Sequence, residues 1–427
     1  MVQHGPVPSS DLTRAHAELL DAQDPLRAFR DRFVRRDDEL VYFDGNSLGR
    51  LPSETIEALS SAVNDEWGTG LVRSWERWID LPIRVGDRVG RALLGAAPGQ
   101  VVVCDTTTAN LYKLAWAASA ARPGRTAVVT DDANFPTDRY VLAGIAAARR
   151  LEMRVVTADP VDGVTAAAVS AAIDDDVALV TFSHVDYRSA AVAEIREITD
   201  LAHRAGALTL WDLSHAAGAV PVDLDGWGVD LAVGCSYKYL NGGPGAPEWM
   251  YVRRELQQGL LPPVWGWFGQ EDQFAMGPEF NPAPGMRRWI GGTPPVLGLT
   301  AVDVGVSLLE EAGMGAVRTK GVALTTYAAG LAAAWLAPIG FSLASPAEAD
   351  RRGSHISLRH PEAFRLSRAL VEEADVVPDF RPPDILRLGL APLTTSFDEV
   401  WEGMHRIRRL ASERAWEHYS AVPGRVT

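Results

Sequence analysis

Residues 208–245 read LTLWDLSHAAGAVPVDLDGWGVDLAVGCSYKYLNGGPG, and this stretch decides the fold. LTLWDL (208–213) and DLAVGC (230–235) are nearly continuous apolar runs of strand length, the pattern of parallel strands covered on both faces. Four more such runs precede them: VVVCD at 101–105, TAVVT at 126–130, MRVVT at 153–157 and ALVTF at 178–182. Ala-rich helical stretches lie between them, so the chain predicts an open, mostly parallel α/β sheet.

In such sheets ligands sit beyond the carboxyl ends of the strands, so the residues just after each run are the candidates. VVVCD leads into Thr106-Thr107-Thr108-Ala109-Asn110 and then a helical pattern. Hydroxyls and free N–H groups at a helix start make a phosphate seat, or a plain threonine cap. Asn134-Phe135-Pro136-Thr137-Asp138 follows the next run, either an ordinary turn or an aromatic face with a carboxylate beside a flat ring. Ser183-His184-Val185-Asp186 closes another run and is equally open when read alone.

Asp212 ends LTLWDL with His215 three residues on, and Lys238 follows DLAVGC between Tyr237 and Tyr239. A lysine amine buried beside a cation or in an apolar pocket is nucleophilic. An acid at one strand end and a lysine past the next suit pyridoxal phosphate. The acid keeps the pyridine nitrogen protonated, so the ring accepts electrons, and the lysine forms the Schiff base. A structural Asp–Lys pair is the alternative.

The rest of the chain sets bounds. At 427 residues, 47% apolar and 22% charged, it is an ordinary globular protein with room for two or three domains. A net charge of −14 argues against a nucleic-acid partner. Cys104 and Cys235 have neither pairing nor metal-ligand spacing, so buried free thiols in a reducing cytoplasm, and no metal, are expected. Met1 to Arg14 does not read as a signal peptide. The Ala-rich stretch Ala328 to Ala337 is shorter than the roughly 20 residues of a membrane span, so no membrane contact is expected. Ser10-Asp11 and Asp24-Pro25 look like starts of two N-terminal helices. After residue 300 come a long helix (Val302 to Leu309, resuming after Gly313), strand-like pieces and a last helix from Asp398 to about Glu417. The expected division is an N-terminal segment (1–50) packing with a small α+β C-terminal domain (301–427), and a large domain (51–300) for the cofactor.

The motifs then resemble those of the kynureninases, members of the fold type I pyridoxal-phosphate superfamily. The matching stretches include YFDGNSLGRLP (42–52), DTTTANLYK (105–113), NFPTDRY (134–140) and WDLSHAAGAVPVDL (211–224). They continue with CSYKYLNGGPGAP (235–247), GWFG (266–269), GGTPPVLGL (291–299), GSHISLRHP (353–361) and LRLGLAPL (386–393). The resemblance implies a fold type I transferase-like architecture and hydrolysis of L-kynurenine, or 3-hydroxykynurenine, to an anthranilate and L-alanine. It also implies roles. Lys238 carries the cofactor and shuttles protons, Asp212 pairs with the pyridine nitrogen, and Phe135 lies on the ring. Thr107, Thr108 and Tyr237 attend the phosphate, with Tyr237 assisting proton movements, and Asp138, Ser183 and His215 complete the shell. Trp267 and Thr293 match positions that reach the site from a neighbouring subunit, implying a homodimer with shared sites. Arg387 matches the arginine that holds the substrate carboxylate, and Ser47 lines the substrate pocket.

Two positions depart from the family pattern. Gln270 stands where His is common, and Thr394-Thr395 stand where Tyr-Asn is common. They suggest a reshaped substrate pocket and a ring-substituted kynurenine (hydroxylated, methylated or halogenated), or neutral drift. The rival readings are a cysteine-desulfurase-like lyase, which would need a mobile cysteine, and a non-catalytic binding protein on the same fold.

Overall fold

The computed structural model describes residues 12–37 and 39–422. All six apolar runs are strands of one seven-stranded sheet: β1 Val101–Val103, β2 Ala127–Asp131, β3 Glu152–Val156, β4 Val177–Ser183, β5 Leu208–Asp212 and β6 Leu231–Gly234. The seventh, β7 Trp249–Val252, escapes the sequence reading because it is short and follows directly on a Gly-rich turn. The strand order is β1-β7-β6-β5-β4-β2-β3. Only β7 is antiparallel, to both β1 and β6. A single loop therefore joins β6 to β7, and that loop holds Lys238 beyond the carboxyl end of β6. The central strands are covered on both faces as expected, whereas β3 is an edge with Val155 49% exposed.

The helices that matter here are α1 Arg14–Gln23, α2 Thr107–Ala120, α3 Pro136–Arg149, α4 Val296–Ala312, α5 Met314–Leu331 and α6 Phe397–Ser412. Thr106 caps α2, its hydroxyl accepting from Ala109 N at 3.2 Å. Pro136 opens α3 in the first turn, where no N–H is missed. Gly313, with φ +76°, separates α4 from α5 at the expected break.

A second core lies around α5, α6 and a four-stranded antiparallel sheet of β8 Ser342–Leu343, β9 His355–Arg359, β10 Asp379–Arg381 and β11 Ile385–Gly389, in the order β10-β11-β9-β8. With its continuation, α5 forms a 26-residue helical stretch, Met314–Ile339, long and apolar enough to cross a membrane. Counting only Ala328–Ala337 understates it. Leu324, Ala328 and Leu331 are nevertheless packed in this core, and Lys320 on the same helix is buried against Asp24 at 2.7 Å. It is a core helix.

Helices α1 and α6 meet here. The Asp21 carboxylate on α1 accepts from Phe397 N and Asp398 N, each at 2.9 Å, adding to the Ser396/Glu399 capping box of α6. Ser10-Asp11 lies outside the described residues, and α1 is capped by Thr13. Asp24-Pro25 leads into a short 3-10 turn, Arg27–Arg32, rather than the expected helix. The Asp24 carboxylate there accepts from Leu26 N and pairs with Lys320, so it tightens a turn.

Two glycines let other backbone close on the lysine loop. A Cβ on Gly49 would overlap Lys238 O and the Asn241 side chain, and one on Gly305 of α4 would overlap Leu240 O. Gly305→Ala is therefore expected to cost about 2 kcal/mol of stability through overpacking, measured by urea unfolding. An unchanged midpoint would show that α4 does not bear on the loop.

Candidate active site

A cavity of about 290 Å³ lies beyond the carboxyl ends of β4, β5 and β6, between the N-termini of α2 and α3. Nine of the residues singled out in the sequence line it: Thr107, Thr108, Phe135, Asp138, Ser183, Asp212, His215, Tyr237 and Lys238. Residues whose motifs were each open to a plain structural reading thus line one and the same cavity.

Lys238 is buried, and its Nζ lies 3.0 Å from His215 Nε2. The same nitrogen is 5.9 Å from the ring centroids of both Phe135 and Tyr237. Burial first, then the charges of Lys238 and Arg387, hold His215 well below the usual imidazole range. His215 is thus neutral near pH 7 and can accept from the lysine amine through Nε2.

Two acids face this amine. Asp212 at the end of β5 accepts from Ser214 N at 2.7 Å. Asp138, in the first turn of α3, hydrogen-bonds to Asp212. Burial, then the Asp212 charge, push the Asp138 carboxyl well above its usual range, so Asp138 carries the proton in this pair. Its Oδ2 is buried with no donor among the described residues. Ser183 Oγ donates to Asn134 Oδ1 at 2.8 Å and so fixes the turn that presents Phe135. Phe135 meets Tyr187 edge to face, centroids 5.3 Å apart.

At the other end of the cavity the N–H groups of the first turn of α2 have no intrahelical acceptor. The Thr107 hydroxyl lies 3.2 Å from Cys235 Sγ. The GNSLG turn docks against this wall, with Gly49 N donating to Tyr237 O at 2.8 Å.

Arg387 on β11 is 1% exposed. It donates to Tyr187 O at 2.5 Å and to Ser47 Oγ at 2.9 Å, and pairs with Asp379 at 2.6 Å. Its Nε has no acceptor among the described residues. Nearby Asp44 is raised to about 6, chiefly by burial.

The remaining candidates stand apart. In a single chain Trp267 is 41% exposed, Thr293 is exposed, and neither lines this cavity. Gln270 uses its amide within its own segment, donating to Glu279 O at 3.0 Å and accepting from Asn281 N at 2.6 Å. Thr394 is buried in a turn, its carbonyl accepting from Arg30 Nε at 3.1 Å. Neither Gln270 nor Thr394 walls the cavity here. Conversely, Tyr187, Ser214 and Glu248 line it and were not singled out. Tyr187 lies one residue past the SHVD run, and Glu248 immediately precedes the unrecognised β7. Asp379 had no motif to announce it.

Comparison with known proteins agrees with this geometry. Residues 317–407 match the family model described as the kynureninase C-terminal domain. The chain is 38% identical over 410 residues to the kynureninase of Pseudomonas fluorescens, covering 95% of this chain and 97% of that one. It is 40% identical over 412 residues to that of Burkholderia pseudomallei (strain 1106a), with coverage of 95% and 97%. Among solved structures, a variant of the cystine C-S lyase C-DES with glycine linked to its pyridoxal-phosphate cofactor superposes with a TM-score of 0.78. That match has 18% identity and covers 90% of this chain and 98% of the other. A cysteine desulfurase from Thermococcus onnurineus NA1 gives a TM-score of 0.77 at 17% identity, covering 93% and 98%. At such identities these two show a shared fold alone.

The acid pair makes a prediction with a definite sign. Asp138 has a folded value above its unfolded one, so its stabilising effect is greatest at low pH and is lost as pH rises through the folded value. In the cofactor-free protein Asp138→Asn should raise the melting temperature at about pH 8, with the gain shrinking toward about pH 4. A variant less stable than the parent at both pH values would contradict the protonated Asp138.

Proposed function

Because the chain belongs to the kynureninase family, and is thus a pyridoxal-phosphate enzyme that hydrolyses the carbon–carbon bond of a kynurenine, we propose that the cavity around Lys238 is where it does so. The observation that carries this is the convergence of one amine, a pair of buried acids and a threonine-rich helix N-terminus on one cavity.

The residues present fit the cofactor. Free N–H groups and the Thr107 and Thr108 hydroxyls suit a phosphate, and Phe135 offers a flat apolar wall. The Asp212–Asp138 pair suits a protonated ring nitrogen, and Asp138 Oδ2 is a buried polar atom with no donor among the described residues. Lys238 suits the aldehyde. Bound there, the cofactor supplies an electron sink for charge that develops on the substrate carbons.

The chain's own groups do the rest. Lys238 Nζ takes the substrate Cα proton and returns protons, while neutral His215 holds that amine in place through Nε2. Asp212, backed by Asp138, keeps the ring nitrogen protonated. Tyr237, whose hydroxyl burial holds in the protonated form, would be a donor to the phosphate and would assist proton movements. Arg387 binds the substrate carboxylate, oriented by Asp379, Tyr187 O and Ser47. Lys238→Ala should lower anthranilate formation by about a thousandfold or more. Arg387→Lys should lose about 2 kcal/mol, roughly thirtyfold in kcat/KM, mostly through KM. Anthranilate formation that survives Lys238→Ala would end this assignment.

The preferred substrate within the class is proposed to carry a ring substituent. Gln270 and Thr394 motivate this, although in a single chain neither offers a polar group to the cavity. Relative kcat/KM on kynurenine and on its 3-hydroxy and 4-methyl forms decides it, and a preference for the unsubstituted compound removes the idea. The lyase rival finds no support at Cys235, which is buried, raised by burial and engaged with Thr107. Two buried free thiols suit a reducing, cytoplasmic setting.

We also infer a homodimer with shared sites. Exposed Trp265, Trp267 and Met276 line a second groove, and exposed Phe274 lies edge to face with Trp267, centroids 6.3 Å apart, which leaves apolar rings open to a neighbour. If Trp267 serves the neighbour's cavity, Lys238→Ala and Trp267→Ala chains should be nearly inactive alone. Refolded together they should regain activity absent from either parent. No recovery, in mixed dimers verified by mass, would place Trp267 elsewhere.

A further inference from the structure

Glu248 stands outside every role above. It precedes β7 and is 3% exposed. Its backbone is pinned to the turn entering α2, with its N–H donating to Asp105 O at 3.1 Å and its carbonyl accepting from Cys104 N at 2.7 Å. Ser236 N donates to Glu248 Oε2, which leaves the other carboxyl oxygen for the cavity that Glu248 lines. Through Cys235, the neighbour of Ser236, this wall also touches the Thr107 hydroxyl at 3.2 Å. Glu248 therefore shares the threonine-rich end of the cavity.

A carboxylate at that end is electrostatically wrong for a phosphate that is dianionic above about pH 6. A protonated carboxyl is right, because its O–H donates to an anionic oxygen, one of the strong classes of hydrogen bond. Burial raises Glu248 to about 8, the Ser236 N–H and Lys238 working against it and Asp212 with it. Lys238 and Asp212 act on it across the cavity, and Asp138 beyond Asp212 is itself pushed up by burial. Cys235 and Tyr237 are pushed up by burial, His215 is pushed down, and Asp105 on the α2 side is paired with Lys113.

We propose that Glu248 is a ligand of the cofactor phosphate in its protonated form, so that the protein's hold on pyridoxal phosphate weakens when this carboxyl ionises. The proposal rests on the cavity around Lys238 being the cofactor site.

The test is cofactor retention rather than turnover. Holoenzyme and its Glu248→Gln variant are equilibrated from pH 7 to pH 9.5, and free cofactor is separated by ultrafiltration and measured by absorbance. Glutamine keeps an N–H donor and cannot ionise. The ratio of wild-type to variant Kd should rise about tenfold per pH unit above the ionisation. A ratio constant across the range overturns the proposal. With pyridoxal, which has no phosphate, the ratio should stay flat, and a rise there would overturn the phosphate assignment in favour of an effect on Lys238. Should the variant fold poorly, the wild type alone suffices. Inorganic phosphate should protect the cofactor-free protein against heat at pH 7 and much less at pH 9.5, and equal protection overturns the proposal. A wild type that takes up no cofactor at any pH sinks the cavity assignment itself, and this proposal with it.

Discussion

The chain contains three lysines, and all three are buried. Lys113 and Lys320 are each matched by a carboxylate, Asp105 and Asp24. Lys238 has no ion-pair partner among the described residues and meets a neutral imidazole instead. Its amine is held in place by that imidazole and by the loop backbone rather than by a countercharge. The rest of the site is arranged around holding that one amine where it can act.

The holding is done by backbone rather than by charge. The loop from β6 to β7 has to turn back because β7 is antiparallel, and this turn places Lys238 above the sheet. Gly49 from the N-terminal part of the chain and Gly305 from α4 let two other stretches of main chain close on the loop. Gly49 N donates to Tyr237 O, so the GNSLG turn is hydrogen-bonded to the residue before the lysine. That turn also carries Ser47, which contacts Arg387 of the second core. One short segment thus couples the lysine, the carboxylate-binding arginine and both cores, and the capping of α6 by Asp21 anchors the segment's N-terminal side.

Charge is distributed in the site by the same logic of burial. At one end lie two carboxyls, of which burial and its neighbour push Asp138 toward the protonated form, and at the other lies the single carboxyl of Glu248. Between them lies the amine. Asp379 Oδ2 is shared between Arg387 at 2.6 Å and Arg381 at 2.7 Å, so one carboxylate serves two guanidinium groups, and the Arg387 Nε is left without an acceptor among the described residues.

The sequence by itself determined the sheet, because six strands covered on both faces cannot avoid being apolar nearly throughout. It also pointed to residues at strand ends, where ligands gather, and to the family from motifs spread over residues 42–393. It did not disclose β7, whose four residues lack a period long enough to read, nor Tyr187, Glu248 and Asp379, which carry no motif. Lys238 read as a reactive amine from its neighbours in the chain, yet its partner His215 lies 23 residues away and is joined to it only by folding. Gln270 and Thr394 looked like pocket residues, and the structure turned both toward their own backbone neighbourhoods. Local pattern fixes which face of a strand or helix is buried. Which buried polar groups meet, and therefore which hold a proton, is decided only when distant segments close on one cavity.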